Sequence, residues 1–261
     1  MVSNTNHLTI SKIACFSVRF DSISNVWISH FWHGGRMRTL AKLRRAAKEP
    51  IRRQLAKRGI YRLDSGPADY PTWNNSRDAV DAFFSDPNEV SDYLTADRIA
   101  FYDEVAELLR ARISVEGRDV ADVGCGTGHL LAKLHEAKSR TGYDFSKAAL
   151  RIARTVCPSA HFREHDIYDH PSSRFDIVCC CETLEHMFHP SRALRSLWDM
   201  VREDGVLLLT VPNGRRDTTL GHINFWSPES WNVFLHETLA GAQIENAPFD
   251  ETVLFAFIGP R

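Results

Sequence analysis

The chain lacks any run near the roughly 18 uninterrupted apolar residues that a membrane-spanning helix requires. Its first twenty residues, MVSNTNHLTISKIACFSVRF, lack the basic-then-apolar layout of a secretory signal. These two absences lead to the expectation of a cytoplasmic protein with no transmembrane segment. No GK[ST] string occurs, which excludes a phosphate-cradling loop of that type. No C-x-x-C pair occurs among the six cysteines, Cys15, Cys125, Cys157, Cys179, Cys180 and Cys181. Three of them are consecutive in an apolar stretch. Neighbouring side chains on a strand point to opposite faces, so a zinc site built from them is geometrically poor. Reduced core thiols are the expected reading.

What is present is an ordinary globular composition, 43% hydrophobic and 25% charged. The 261 residues allow one α/β domain with an N-terminal addition. Charge is balanced overall but unevenly placed. Residues 36–62 hold eleven Lys/Arg against one acid, whereas residues 63–261 hold nineteen against thirty-one Asp/Glu. The expected organisation is a poorly structured extension at 1–36, a basic arm at 37–62 interrupted by Pro50, a helical cap or lid at 63–115, and the main domain at 116–261. The arm begins naturally at Met37, which makes that residue a candidate initiator. Such an arm can dock by its leucines on the acidic body, or meet nucleic acid or an anionic membrane surface. Within the cap, Ile99, Tyr102 or Phe101, Val105, Leu108 and Leu109 recur at helical steps, and Thr95 is placed to start their helix. Phe83, Phe84, Tyr93 and Tyr102 fit either lid or core.

The most informative stretch is residues 120–129, VADVGCGTGH. A short apolar run carrying Asp122 turns through Gly124, Gly126 and Gly128 into a helix. Without Cβ atoms the backbone there can take φ > 0 and let a ligand approach closely. The helix start offers free N–H groups to polar ligand atoms. A dinucleotide fingerprint needs G-x-G-x-x-G, and this spacing is G-x-G-x-G. Asp122 would repel a phosphate and suits a cationic ligand end instead.

These residues resemble the first motif of the class I S-adenosylmethionine-dependent methyltransferases, and the resemblance runs from about Arg118 to the C-terminus. It implies an α/β fold, a Rossmann-like seven-stranded, mainly parallel sheet with helices on both faces, and S-adenosyl-L-methionine as cofactor. It implies donor contacts at Asp122, Gly124, Cys125, Gly126, Thr127 and Gly128, with Cys181 at the end of the fourth strand. Asp144 ends the β-type stretch RTGYDFS and is placed to accept hydrogen bonds from ribose hydroxyls, with Ser146 as cap of the next helix. Phe145 is the candidate for the adenine face. HFREHDIYD is expected to give a third strand ending at Asp166-Ile167. The resemblance puts Asp166 on the adenine amino group and Ile167 against the ring. FDIVCCC is the fourth strand. A turn at Asp204-Gly205 leads to a fifth strand from Val206 to Val211, stopped by Pro212. AGAQIENAPF and ETVLFAFIG look like the closing antiparallel pair. Ligands of such sheets bind at the carboxyl ends of the strands. His129, His161, His165 and His170 read as surface or turn residues.

Methyl transfer from a sulfonium is an in-line displacement, with the acceptor atom held about 3 Å from the methyl carbon. A hydroxyl acceptor is helped by a base or a metal ion. Glu182, Glu185 and His186 occur as E-x-x-E-H, and on a helix these three share one face. Farther on, GHINFWSPESW places His222 before a helix start at Ser227-Pro228-Glu229. Two carboxylates and two imidazoles suit Mg²⁺, Mn²⁺ or Fe²⁺. The set Glu182, Glu185, His186 and His222 resembles the metal site of the small-RNA 3′-terminal 2′-O-methyltransferases. Its E-x-x-E-H part is also similar to that of the ubiquinone-pathway O-methyltransferases. A Leu-Glu-His string also occurs in class I methyltransferases that need no metal, where His186 or His222 would act as base, and both readings stay open. The leading expectation is O-methylation of a hydroxyl on a small molecule, glycan sugar or lipid-linked precursor. The alternatives are an RNA 2′-O-methyltransferase using the basic arm at 36–62, and a non-catalytic S-adenosylmethionine-binding regulator.

Overall fold

The computed structural model describes residues 75–169, 173–219 and 221–259. The expected extension at 1–36, the basic arm, the first part of the cap, Cys15 and His170 lie outside the described residues.

Three helices precede the sheet: α1 (Arg77–Ser85), α2 (Pro87–Tyr93) and α3 (Ala96–Arg110). Each begins on a side-chain cap. Ser76, Asp86 and Thr95 accept from the N–H groups of Ala79, Asn88 and Arg98, satisfying donors that a helix start leaves orphaned. The strands are β1 (Asp119–Val123), β2 (Ser139–Asp144), β3 (His161–Glu164), β4 (Phe175–Cys181), β5 (Val201–Pro212), β6 (Ile244–Pro248) and β7 (Val253–Ile258). Among them run α4 (His129–Lys133), α5 (Lys147–Val156), α6 (Pro190–Asp199) and α7 (Pro228–Thr238), with a 3₁₀ turn at Leu184–His186.

The seven strands form one sheet in the order β3-β2-β1-β4-β5-β7-β6. The pairs among β1 to β5 are parallel, while β7 runs antiparallel to β5 and β6. This is the expected doubly wound sheet with its closing antiparallel pair. The chain order reverses between β1 and β4, which opens a crevice at their carboxyl ends.

Apolar residues on successive strand positions feed two core layers. Ala121, Val123, Cys180, Leu207 and Leu209 pack with Leu194, Leu197 and Trp231 on the α6–α7 side. Val120, Cys179, Cys181, Val206 and Leu208 pack with Leu109, Leu130 and Leu150 on the side of α3, α4 and α5. The three consecutive cysteines therefore alternate between layers, and all are free thiols in the core. That placement agrees with the reduced-thiol expectation for this strand.

Three local expectations are corrected. The third strand ends at Glu164, not at Asp166-Ile167. Beyond it the Asp166 carboxylate accepts the Tyr168 N–H at 3.0 Å, a local turn that takes the chain off the sheet edge. The turn expected at Asp204-Gly205 is an irregularity within β5, which starts at Val201. Phe175 pairs with Val201 and Ile177 with Val206, so extra residues bulge from the fifth strand. Gly205 permits this, because a Cβ there would stand 2.9 Å from the Asp176 carbonyl oxygen. Finally, E-x-x-E-H does not start an α-helix. Glu182 has φ of 49°, and only the short 3₁₀ turn follows it.

Candidate active site

The glycine turn adopts left-handed backbone at all three expected positions, with φ of 76° at Gly124, 48° at Gly126 and 77° at Gly128. Two of them answer different needs. At Gly124 a Cβ would strike the Thr183 hydroxyl at 2.4 Å, so the loop packs directly on the segment after β4. At Gly126 a Cβ would meet nothing within 4 Å, so the space beside that backbone is open. Cys125 and Thr127 are buried, and the Thr127 hydroxyl lies 2.8 Å from His129 Nδ1.

Asp144 stands at the end of β2, 7% exposed. It accepts the Gly126 N–H on Oδ2 and the Ser146 N–H on Oδ1, each at 2.8 Å. Each carboxylate oxygen keeps a second lone pair for a ligand hydroxyl. Burial raises its pKa, and the backbone donors of Ser146 and Gly126 oppose that rise. Asp122 is buried at the end of β1, and burial followed by the nearby Asp144 charge lifts its carboxyl to about 7. Asp166 is tied to Asp144 by the adjacent His165 N–H, which donates to the Asp144 carbonyl at 3.0 Å. Ile167 is partly buried against the core, and the Arg77 guanidinium lies 5.5 Å from the Phe145 ring centroid.

On the other side of the crevice, Glu185, His186 and His222 offer ligand atoms that all lie within 4.8 Å of one another. His186 Nε2 is 3.7 Å and His222 Nε2 4.0 Å from Glu185 Oε1. The outer nitrogens are held: His186 Nδ1 faces the Gly221 carbonyl at 3.1 Å, and His222 Nδ1 faces the Asp217 carboxylate. Both rings thus turn Nε2 toward one carboxylate. Glu185 is 1% exposed, and neither of its oxygens has a hydrogen-bond partner among the described residues. Burial, then the charge of Glu182, pushes its pKa well above the usual carboxylate range. Burial, then His222, lowers His186 to about 4, so that ring stays neutral at physiological pH.

Glu182 does not join the other three. With no helix to align i and i+3, its carboxylate instead accepts the Thr210 hydroxyl at 3.1 Å and lies 3.9 Å from Arg98. The loops that carry the group are fastened together. Ile223 and Asn224 donate their N–H groups to the Glu185 carbonyl, and the Asn224 amide donates to the Met187 carbonyl at 2.7 Å.

Several residues here escaped the sequence reading. Arg98 and Asp217 are the chief ones. Asp217 sits five residues before His222, a spacing with no motif value, because an irregular loop joins them. Arg98 reads as an ordinary first-turn residue of α3 until packing sets it beside Glu182. His129 is half-buried at the start of α4, its ring stacked on Tyr102 with centroids 5.9 Å apart. His165 is also held in, its Nε2 buried and its ring 5.3 Å from Tyr143.

Strand order, glycine turn and carboxyl-edge cluster together define a class I methyltransferase architecture. The sequence comparison agrees: the methyltransferase domain family matches residues 93–242, more than half of the chain, and the chain belongs to that family. It is similar to a ubiquinone biosynthesis O-methyltransferase of Glaesserella parasuis serovar 5, 32% identical over 111 residues, which are 37% of this chain and 46% of that protein. A ubiquinone biosynthesis O-methyltransferase of Alkalilimnicola ehrlichii is 34% identical over 107 residues, covering 38% of this chain and 43% of its own. The chain thus spans less than half the length of these curated relatives. Among solved structures, the DhpI–SAH complex superposes with a TM-score of 0.58 at 19% identity, over 69% of this chain and 94% of that one, a likeness of fold. No helix among the described residues is long and apolar enough to cross a membrane.

Proposed function

We propose that the protein is an S-adenosylmethionine-dependent O-methyltransferase whose acceptor hydroxyl enters beside Glu185, His186 and His222. When bound, the donor supplies a methyl group on a positively charged sulfur. The open backbone at Gly126, the acid Asp122 and the carboxylate of Asp144 fit its amino-acid end and ribose. For the adenine the candidates are Phe145, which follows β2, and Asp166 and Ile167, in the turn after β3. The ubiquinone-pathway relatives support oxygen as the methylated atom.

One observation carries the acceptor side: the buried Glu185 carboxylate has no hydrogen-bond partner among the described residues and is faced by two imidazole Nε2 atoms. A buried carboxylate without partners is costly, so this group calls for a cation or a proton. Two imidazoles and one carboxylate, with the outer nitrogens fixed by a carbonyl and a carboxylate, suit a divalent metal ion. Glu185, His186 and His222 would hold it, while Glu182, turned to Thr210 and Arg98, stays outside the set. Such an ion would lower the pKa of a coordinated hydroxyl.

A second reading needs no metal and rests on the Asp217–His222 pair. Asp217 fixes the ring through Nδ1 and leaves Nε2 to take the acceptor proton. Its carboxyl, though burial pushes it up, is held below the usual range by the hydrogen bonds from His222 and Thr219.

A radiolabelled methyl-transfer screen against fractionated extract, with and without chelator, separates the two. Activity lost to chelator and restored by Mg²⁺ or Mn²⁺ selects the metal. Full activity in chelator selects His222 as base. Acceptors among small phenols and sugars support the present choice of substrate. Transfer to RNA alone, steeply dependent on salt, would replace it with the nucleic-acid reading. Donor binding with no transfer to any fraction would leave a regulator.

A further inference from the structure

Asn75 immediately precedes Ser76, the cap of α1, and lies outside the residues 93–242 that match the methyltransferase family. Its side chain nonetheless reaches the acceptor side of the crevice. Nδ2 donates to the His186 carbonyl at 3.0 Å and to the Gly221 carbonyl at 2.9 Å. These partners stand 111 and 146 residues away in the chain. One is a histidine of the candidate site, and the other is the residue just before His222. A side-chain amide carries two N–H hydrogens, so one donor serves each loop.

Both carbonyls need such a partner. His186 closes the 3₁₀ turn, and the last carbonyls of a helical turn find no partner within it. Gly221 has φ of 98°, in the region open to glycine, so its own backbone does little to fix where its carbonyl points. That oxygen also stands 3.1 Å from His186 Nδ1. A carbonyl oxygen only accepts, so the ring proton sits on Nδ1. Nε2 then keeps its lone pair, turned toward Glu185 Oε1 at 3.7 Å. The contacts thus run from Asn75 through the Gly221 carbonyl to the His186 ring. A tie serving only to hold the cap down would account for one bond to one loop. It would not account for donors divided between the two loops that carry the imidazoles, one of them on the oxygen that orients a ring.

We propose that Asn75 is a positioning residue of the acceptor site, holding the Gly221 carbonyl so that His186 presents an unprotonated Nε2. The site is then complete only when the segment leading into α1 is docked. The effect on turnover rests on the methyl-transfer reading above, whereas the link from Asn75 to the ring rests on geometry alone.

Long-range ¹⁵N–¹H NMR spectra of the full chain, labelled in its histidines and treated with chelator, read the ring tautomers at pH 7.5. Loss of signals in His186→Gln assigns that ring. Wild type shows His186 as Nδ1–H. Two variants test the link: Asn75→Ala, and Asn75→Asp, which keeps the side-chain shape but replaces the donors with acceptors. In both, His186 becomes a mixture of Nδ1–H and Nε2–H forms, while the Nδ1–H signal of His222, facing Asp217, stays as an internal reference. With an acceptor fraction from the screen, both variants lower kcat by about 10–100-fold, the usual effect of losing an outer partner of a site histidine. KM for S-adenosylmethionine changes by no more than about twofold. A His186 ring that stays Nδ1–H in both variants overturns the proposal. So does a loss carried by KM for the donor, or an equal change in His222, which marks general loosening of the loop. The wild-type spectrum is a test that needs no variant to fold: His186 found there as Nε2–H overturns the proposal at once. If wild type transfers no methyl group while Asn75→Ala still alters the His186 tautomer, the methyl-transfer reading fails and the link stands. An unmoved ring with transfer intact removes this inference alone.

Discussion

At the scale of single residues, the glycine turn and the acids around it separate folding from binding. Gly126→Ala places a Cβ in open space and pays only for its positive φ, roughly 1–2 kcal/mol. Gly124→Ala adds a collision with Thr183 and should cost roughly 1–3 kcal/mol more. Thermal melts of the two variants check that order, and equal melting temperatures would contradict it. Asp144→Ala should weaken S-adenosylhomocysteine binding by roughly 1.5–3 kcal/mol, the range for a charge-assisted contact. Unchanged affinity by calorimetry would reassign that residue to capping and loop support alone.

Asp122 gives a pH dependence with a definite sign. Its carboxyl is lifted to about 7 by burial and by Asp144, so between about pH 4 and that value the folded protein binds a proton the unfolded chain has released. Stability from this group is therefore lost as pH rises through that window. Asp122→Asn removes the slope, and its urea midpoint should move above that of wild type between pH 5 and 7.5. Parallel curves for the two proteins would show that Asp122 stays ionised at low cost.

At the scale of elements, the chain's local chemistry was the most legible part. Thr95, Ser146 and Ser227 each cap the helix they were expected to start, because a cap is decided by residues within one turn. Ser227 goes further and shares a reciprocal capping box with Ser230. What escaped was set by distant partners. The end of β3 depends on how far β2 continues beside it, the bulge in β5 on the backbone of Asp176, and the failure of E-x-x-E-H to become a helix on the left-handed backbone at Glu182. The candidate cofactor residues are readable because they lie along short motifs. The partners of His222 and Glu182, namely Asp217, Thr210 and Arg98, were not, since only the packed loops bring them near. Ser146 also shows how a local cap serves docking: its hydroxyl and the Ala148 N–H both donate to Asp81 of α1. Ser146→Ala should cost about 1–2 kcal/mol by urea unfolding, and a loss under half that figure would mean the contact to Asp81 is idle.

At the scale of the whole molecule, two apolar layers hold the sheet that fixes the distance between the glycine turn and the Glu185 cluster. Trp231 is the largest fully buried side chain among the described residues and ties α7 to the antiparallel edge, its indole N–H donating to the Phe255 carbonyl at 3.3 Å. Trp231→Ala should destabilise the domain by about 3–5 kcal/mol, read as a shift of the denaturation midpoint. A shift below about 1 kcal/mol would mean that the α6–α7 layer collapses freely around the gap.

The cysteine triplet of β4 has a practical corollary. Cys179, Cys180 and Cys181 are all shut away, with Cys180 looking into one layer and its two neighbours into the other. Burial holds all three thiols far from the reactive thiolate form. Alkylation by iodoacetamide, followed site by site in mass spectrometry, would therefore time how often each side of the sheet lifts away from its helices, using reporters the native chain already carries.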